Sequence, residues 1–144
     1  MAHTATDITQ AAADLIHAFN EADWDRFRNR LASDVVYTET GTGRRVEGAE
    51  TYLELSKGWK EPFPDVSGTI RRAVASDGTV AQDVLWEGTH TGPLQTPTGS
   101  IDASGNRVSV LGTMWYTFEG DNARRIDHHL DVLTLLQQVG AFPA

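Results

Sequence analysis

Residues 70–91 read Ile70-Arg71-Arg72-Ala73-Val74-Ala75-Ser76-Asp77-Gly78-Thr79-Val80-Ala81-Gln82-Asp83-Val84-Leu85-Trp86-Glu87-Gly88-Thr89-His90-Thr91. Two runs of apolar and β-branched residues flank Asp77-Gly78, a dipeptide suited to a two-residue hairpin because both positions tolerate positive φ. The stretch predicts an antiparallel pair, Ile70 to Ala75 against Val80 to Thr91. Downstream, a Gly/Pro/Thr-rich loop, Gly92 to Gly105, leads to a strand at Val108 to Phe118, and Gly120-Asp121-Asn122 turns into a last strand, Arg124 to Leu130. Asp131 to Val139 reads as a short helix closed by Gly140 in the C′ position, with Pro143 beyond.

Upstream the periodicity changes. Ile8, Ala12, Leu15, Phe19 and Ala22 recur at helical spacing, with Thr6 or Asp7 as N-cap. A second, short helix follows Asp23, with Trp24, Phe27 and Leu31 as its stripe. Val35 to Thr38 is a short strand ended by the Gly41-Thr42-Gly43 turn. Tyr52, Leu53, Leu55, Ser56 and Trp59 predict a third helix, stopped by Pro62 and Pro64. Helices first and an antiparallel run afterwards indicate an α+β fold over residues 1–144, one domain, with helices on one face of a curved sheet. A strongly curved sheet covered on its concave side encloses a pocket, and function is expected there.

Composition removes several classes of function. Twelve Lys and Arg against twenty Asp and Glu give a net charge of −8, which argues against nucleic acid as a partner. The Arg-Arg pairs at 44/45, 71/72 and 124/125 sit among acids and read as solvated faces. With no cysteine, disulfides, thiolate catalysis and Cys-ligated metals are excluded. The first ten residues lack a basic then apolar leader pattern, and no apolar run approaches the length of a membrane span. The expectation is a soluble cytoplasmic protein with no membrane partner.

The most informative stretch for chemistry is Arg125-Ile126-Asp127-His128-His129-Leu130-Asp131. Strand alternation puts Ile126, His128 and Leu130 on one face and Arg125, Asp127 and His129 on the other, so His128 points inward. An inward imidazole is either a proton acceptor or a core histidine with one hydrogen bond. The same parity separates His128 from His129 and argues against a metal site. On the Val80 to His90 run the inward row is Val80, Val84, Trp86, Gly88 and His90, placing His90 at the pocket rim. Trp86, Met114 and Tyr116 suit either a flat aromatic ligand or plain core. Asp131 is an N-cap or a carboxylate at the pocket mouth that orients His128 or substrate. Glu39 is a surface acid or an acid near the other end of the cavity. No Gly-rich phosphate loop follows a strand and no nucleophile elbow occurs, which leaves proton transfer or binding.

The series Gly88-Thr89-His90-Thr91-Gly92, Pro97-Thr98-Gly99 and Asp131-Val-Leu-Thr-Leu-Leu-Gln-Gln-Val-Gly140, with Gly58-Trp59 earlier, resembles the SnoaL-like polyketide cyclase family of the nuclear-transport-factor-like superfamily. The resemblance implies a cone-shaped α+β barrel: N-terminal helices over a strongly curved, mostly antiparallel sheet, with a short C-terminal helix. It implies an enzyme without a bound cofactor, a homo-oligomer (dimer or tetramer), acting on polycyclic aromatic polyketides of antibiotic pathways. Family cyclases close a ring by intramolecular aldol chemistry. Their catalytic aspartate falls at His128 here and a histidine of the preceding strand at Met114, while His90 matches the family histidine. A first-helix tyrosine falls at Phe19 and a pocket-facing position of the third helix at Ser56. Other relatives hydroxylate anthracycline-type substrates, which implies dioxygen as co-substrate and a separate reductase as a candidate partner.

With the cyclase base replaced, the reading favours hydroxylation: His128 as general base, His90 as oxyanion or hydroxyl partner, Asp131 as the orienting carboxylate, and Trp59, Trp86 and Met114 shaping an aromatic slot. Aldol cyclisation, ketosteroid-isomerase-like proton transfer by Glu39 and non-catalytic ligand binding are the alternatives.

Overall fold

A computed structural model describes residues 5–142. Its order is α1 (Ala5–Glu21), α2 (Trp24–Asn29), β1 (Leu31–Glu39), β2 (Arg44–Glu47), α3 (Ala49–Gly58), β3 (Ser67–Ser76), β4 (Thr79–Thr89), β5 (Leu94–Thr96), β6 (Gly99–Ile101), β7 (Arg107–Glu119), β8 (Asn122–Leu130) and α4 (Val132–Gln138). The fold is α+β, with a six-stranded sheet in the order β2-β1-β8-β7-β4-β3. All neighbours are antiparallel except β1 and β8, which run parallel.

The hairpin at Asp77-Gly78 forms as its sequence requires. Both residues have positive φ, 51° and 77°, and Ser76 faces Thr79 across the turn. On α1, Ile8, Ala12, Leu15 and Phe19 are buried, and Ala11, Ile16 and Ala18 widen the apolar face that lies on the sheet. Asn20 fixes the far end of that helix to the edge strand: its side-chain amide accepts from Gly68 N–H at 2.8 Å and donates to Gly68 C=O at 2.9 Å. A side chain thus takes the place of a missing strand partner on β3. Gly68 has no room for a β-carbon, because Trp86 and Val84 of β4 fill the space above it.

Several expectations are corrected. Thr6 and Asp7 lie inside α1, which has begun by Ala5, and not at the position before its first turn. Ala22 is past the helix end, exposed and at φ 55°. Asp23 does cap α2, accepting from Arg26 N–H at 3.3 Å, but Leu31 is the first residue of β1 and not the end of a helical stripe. Its i+4 spacing from Phe27 imitates a helix; pairing with Ala123 of β8 decides otherwise. The Arg44-Arg45 segment forms the edge strand β2 against β1. Within the expected Gly92 to Gly105 loop, Leu94 to Thr96 and Gly99 to Ile101 form a small separate hairpin. Asp131 caps α4 and Gly140 stands in the C′ position with φ 79°; Pro143 lies outside the described residues. No helix among the described residues is long and apolar enough to cross a membrane.

Candidate functional site

The concave face of the sheet and helices α1 and α3 enclose an apolar cavity with about 80 Å³ open to the centres of water molecules, enough for several waters. Phe19, Ser56, Trp59, Trp86, Met114, Tyr116 and His128 all line it. Glu39, His90 and Asp131 are not among its lining residues.

The parallel pairing of β1 with β8 puts Glu39 opposite His128 in the ladder. Tyr37, two residues earlier and on the same face of β1 as Glu39, reaches between them. Its hydroxyl lies 2.5 Å from Glu39 Oε2 and 2.9 Å from His128 Nδ1, and all three side chains are buried. Burial and the neighbouring Glu39 charge raise Tyr37 well above the usual phenol range, so it stays protonated. Glu39 Oε1 accepts from the Thr42 hydroxyl at 2.8 Å and lies 3.7 Å from the Arg44 guanidinium.

These contacts fix the direction of each proton. A carboxylate only accepts, so the single Tyr37 proton goes to Glu39. The phenolic oxygen is then left to accept from His128, which must carry its hydrogen on Nδ1. Nε2 is therefore the lone-pair nitrogen, and it is buried without a protein partner. Burial, assisted by the charge of His129, lowers the His128 pKa to about 3, so the imidazole is neutral across the physiological range. His129 turns to the other face of β8 and meets the Thr40 hydroxyl at 2.7 Å.

Room for the His128 ring comes from a glycine on the neighbouring strand. A β-carbon on Gly112 of β7 would lie 2.4 Å from Nε2 of His128 and 3.2 Å from Nε1 of Trp86. Phe19 packs edge-on to Trp86 with ring centroids 5.4 Å apart. The stacked pair Tyr37 and Tyr52, 4.6 Å apart, braces the relay from the side of α3. Ser56 lines the cavity while donating to its own helix at Tyr52 C=O, 2.9 Å away. Tyr116 donates to Gln82 Oε1 at 2.9 Å.

Three expected placements are corrected. Asp131 does not orient His128: its carboxylate accepts from Thr134 N–H at 3.1 Å and from the Thr134 hydroxyl at 2.7 Å, and Tyr37 holds the imidazole instead. His90 is buried behind Phe63, with ring centroids 5.4 Å apart, and pins the loop before β7. Its Nδ1 accepts from Ser104 N–H at 3.1 Å, while its backbone bonds Asn106 and Gly105. Glu39 is not a surface acid, and it is joined to His128 through Tyr37 rather than standing at the cavity wall.

Tyr37 and Gly112 were not anticipated from the sequence. The alternation Val35, Tyr37, Glu39 is the signal that could have put Tyr37 and Glu39 on one face. Which strand lies beside them was not legible.

A curled mixed sheet, helices across its concave side and a cavity lined by one imidazole define the class: a cavity-bearing α+β fold. The chain belongs to the SnoaL-like polyketide cyclase family, whose profile matches residues 7–139. Among curated proteins none matches the chain. Among solved structures it is similar to AclR from Streptomyces galilaeus, a candidate hydroxylase, with 18% identity, 98% of this chain and 85% of that one covered, and a TM-score of 0.84. It is also similar to IdmH from Streptomyces antibioticus, a candidate polyketide cyclase, with 22% identity, coverage of 92% and 97%, and a TM-score of 0.79. An epoxide hydrolase of the LEH-like type from M. tuberculosis shares 18% identity, coverage of 95% and 95%, and a TM-score of 0.72. These similarities show a shared fold that carries different chemistries.

Proposed function

We propose that the protein is a polyketide-tailoring enzyme in which His128 Nε2 removes a proton from a polycyclic aromatic substrate, and that the reaction is hydroxylation by dioxygen. The observation that carries this reading is the buried chain Glu39–Tyr37–His128 ending in an unpartnered Nε2, on a ring that lines the cavity. An imidazole with a pKa of about 3 is by itself a weak base. The relay removes that difficulty. As Nε2 takes the substrate proton, Nδ1–H passes to the Tyr37 oxygen and the Tyr37 proton to Glu39, so the negative charge moves from carboxylate to substrate and no imidazolium need persist.

A reduced, hydroquinone-type ring supplies the rest of the chemistry. Its anion adds dioxygen at a ring carbon, and protonation gives a hydroperoxide. Loss of that carbon's proton then breaks the O–O bond and releases water. Hydroquinone and dioxygen thus become hydroxyquinone and water, and all four electrons that reduce dioxygen come from the ring. A separate reductase would supply the hydroquinone, and nothing in this scheme calls for a cofactor bound to the protein. His128 where family cyclases carry an aspartate, and Met114 where they carry a histidine, favour this reaction over aldol closure.

The test is a single turnover of an anaerobically reduced hydroxyanthraquinone under ¹⁸O₂, followed by mass spectrometry. One ¹⁸O in the product, formed faster than with the His128→Gln variant, is expected. Recovery of the anthraquinone with no label, at the same rate with and without the protein, would overturn hydroxylation, and tight binding with no product would assign a binding module.

The relay makes a second prediction. Tyr37→Phe should lower kcat about 10- to 100-fold with KM little changed, because the phenyl ring keeps its stacking on Tyr52 but no longer sets the His128 tautomer. It should also cost about 1–3 kcal/mol of stability, since Glu39 and His128 each lose a buried partner. Urea denaturation and steady-state kinetics check both. Glu39→Gln should resemble Tyr37→Phe; a far larger loss than His128→Gln would instead make Glu39 the direct base, as in the isomerase alternative.

A further inference from the structure

Two buried polar atoms of opposite character lie close together beside Gly112 without a protein partner: the indole Nε1 of Trp86, a donor only, and Nε2 of His128, an acceptor in the tautomer that Tyr37 sets. The sheet register brings them together. Trp86 on β4 pairs with Val110 of β7, and His128 on β8 pairs with Met114. Gly112 stands midway between Val110 and Met114 on the same face of β7, so the two rings approach it from opposite diagonals, with centroids 6.1 Å apart. The absent β-carbon of Gly112 is what lets the two nitrogens come this close, since it would lie 2.4 Å from Nε2 of His128 and 3.2 Å from Nε1 of Trp86. Each orphan atom costs free energy while unpaired, and one ligand atom can satisfy both.

That atom is a hydroxyl oxygen. It donates its hydrogen to Nε2 and accepts from the indole N–H. After the proton has moved to Nε2 the oxygen is an anion, and the indole N–H still points at it, in the arrangement that stabilises a developing oxyanion. A purely carbon acid would leave the indole N–H unpaired, and a site with a buried polar group discriminates strongly against a ligand that cannot pair it.

We propose that Trp86 is the donor that holds the substrate oxygen whose proton passes to His128, so that the substrate class is a phenol or enol presenting a free hydroxyl at the edge of an aromatic ring. This rests on the general-base reading of His128. It gives to Trp86 the hydroxyl-partner role expected of His90, whose Nδ1 is committed to the Ser104 loop and which does not line the cavity.

The test compares 1-naphthol with 1-methylnaphthalene, which can neither donate nor accept a hydrogen bond, in equilibrium fluorescence titrations at pH 7. Wild-type protein should prefer the hydroxyl by at least about tenfold, since its oxygen pairs with both nitrogens. Trp86→Phe, which keeps the ring against Phe19 but removes the N–H, should reduce that preference about fivefold and leave methylnaphthalene affinity within about threefold. In the wild type, the assigned Trp86 indole ¹H resonance should move downfield with naphthol and not with methylnaphthalene, a readout that stands even if the variant folds poorly. A full preference in Trp86→Phe, or an indole resonance indifferent to naphthol, overturns the proposal. The base reading is judged separately: loss of the preference in His128→Gln but not in Trp86→Phe leaves His128 standing and removes Trp86, whereas unchanged turnover in His128→Gln removes the base and leaves the hydroxyl-binding result intact.

Discussion

Replacing His128 by glutamine should lower kcat by about 10²- to 10⁴-fold while aromatic ligand affinity changes little, the usual range for loss of a positioned general base. Glutamine has similar length and can still meet the Tyr37 hydroxyl, so the cavity keeps its shape while losing its proton acceptor. The wild-type pH profile should show no step near 6.5, because burial holds the native imidazole neutral down to about 3. Stability carries the complementary signature. The unfolded chain protonates this histidine near 6.5, its ordinary value, and the native state only near 3. Between those values the unfolded state binds more protons, so stability falls as pH falls through the window, by up to about 1.4 kcal/mol per pH unit, and the loss ends below about 3. In His128→Gln that contribution is gone. Urea denaturation of both proteins at pH 7, 5 and 4 should therefore give converging stabilities as the pH is lowered; parallel curves would show that His128 is not buried neutral.

The second large effect is expected at a residue with no side chain. Gly112→Ala places a β-carbon 2.4 Å from Nε2 and 3.1 Å from Cδ2 of His128, a contact closer than van der Waals radii permit. The ring cannot simply swing away, because Tyr37 holds its other nitrogen and Trp86 stands on the opposite side. Backbone relief is also restricted, since Gly112 is paired with Val84 on one side and Leu130 on the other. Overpacking of this kind costs about 1–3 kcal/mol. It should reduce turnover by at least about 100-fold and, unlike His128→Gln, abolish naphthol binding, because the new methyl crowds both nitrogens that would hold a ligand oxygen. Gly58→Ala provides the control. That position lies at the end of α3 with nothing near its absent β-carbon, and alanine there should raise stability by up to about 1 kcal/mol with activity unchanged. Thermal melts, titrations and kinetics of the two variants separate a site-specific glycine from a merely helical one.

The elements decided by local rules were legible. Four apolar positions of α1, the Asp77-Gly78 hairpin, the inward row of β4 and the alternation along β8 all follow from periodicity and turn chemistry, and each is found. One error and one omission share a cause. Leu31 fits a helical spacing from Phe27, and the Arg44 to Glu47 segment, a solvated face as expected, shows no strand pattern of its own; each is strand because a partner strand lies beside it. Local propensity is weak against a complete set of ladder hydrogen bonds. The loop hairpin at Leu94 to Ile101 was hidden because its strands have only three residues each.

For the site, the sequence determined which residues could face a cavity: period-two alternation and helical spacing place Phe19, Ser56, Trp59, Trp86, Met114, Tyr116 and His128 on inward faces, and all seven line it. The family, too, was legible in the order of short motifs along the chain. Only the tertiary structure decided what those residues do to one another. The parallel pairing of β1 with β8 joins positions about ninety residues apart, and from it follow the Glu39–Tyr37–His128 relay, the tautomer it imposes and the free Nε2. It likewise separated His90 and Asp131, which the motifs had grouped with His128, by committing one to Ser104 and the other to Thr134. The physical reason is that alternation fixes the face of a strand on which a side chain stands, whereas its hydrogen-bond partners depend on which strand lies alongside and in what register. No pattern within either segment encodes that choice.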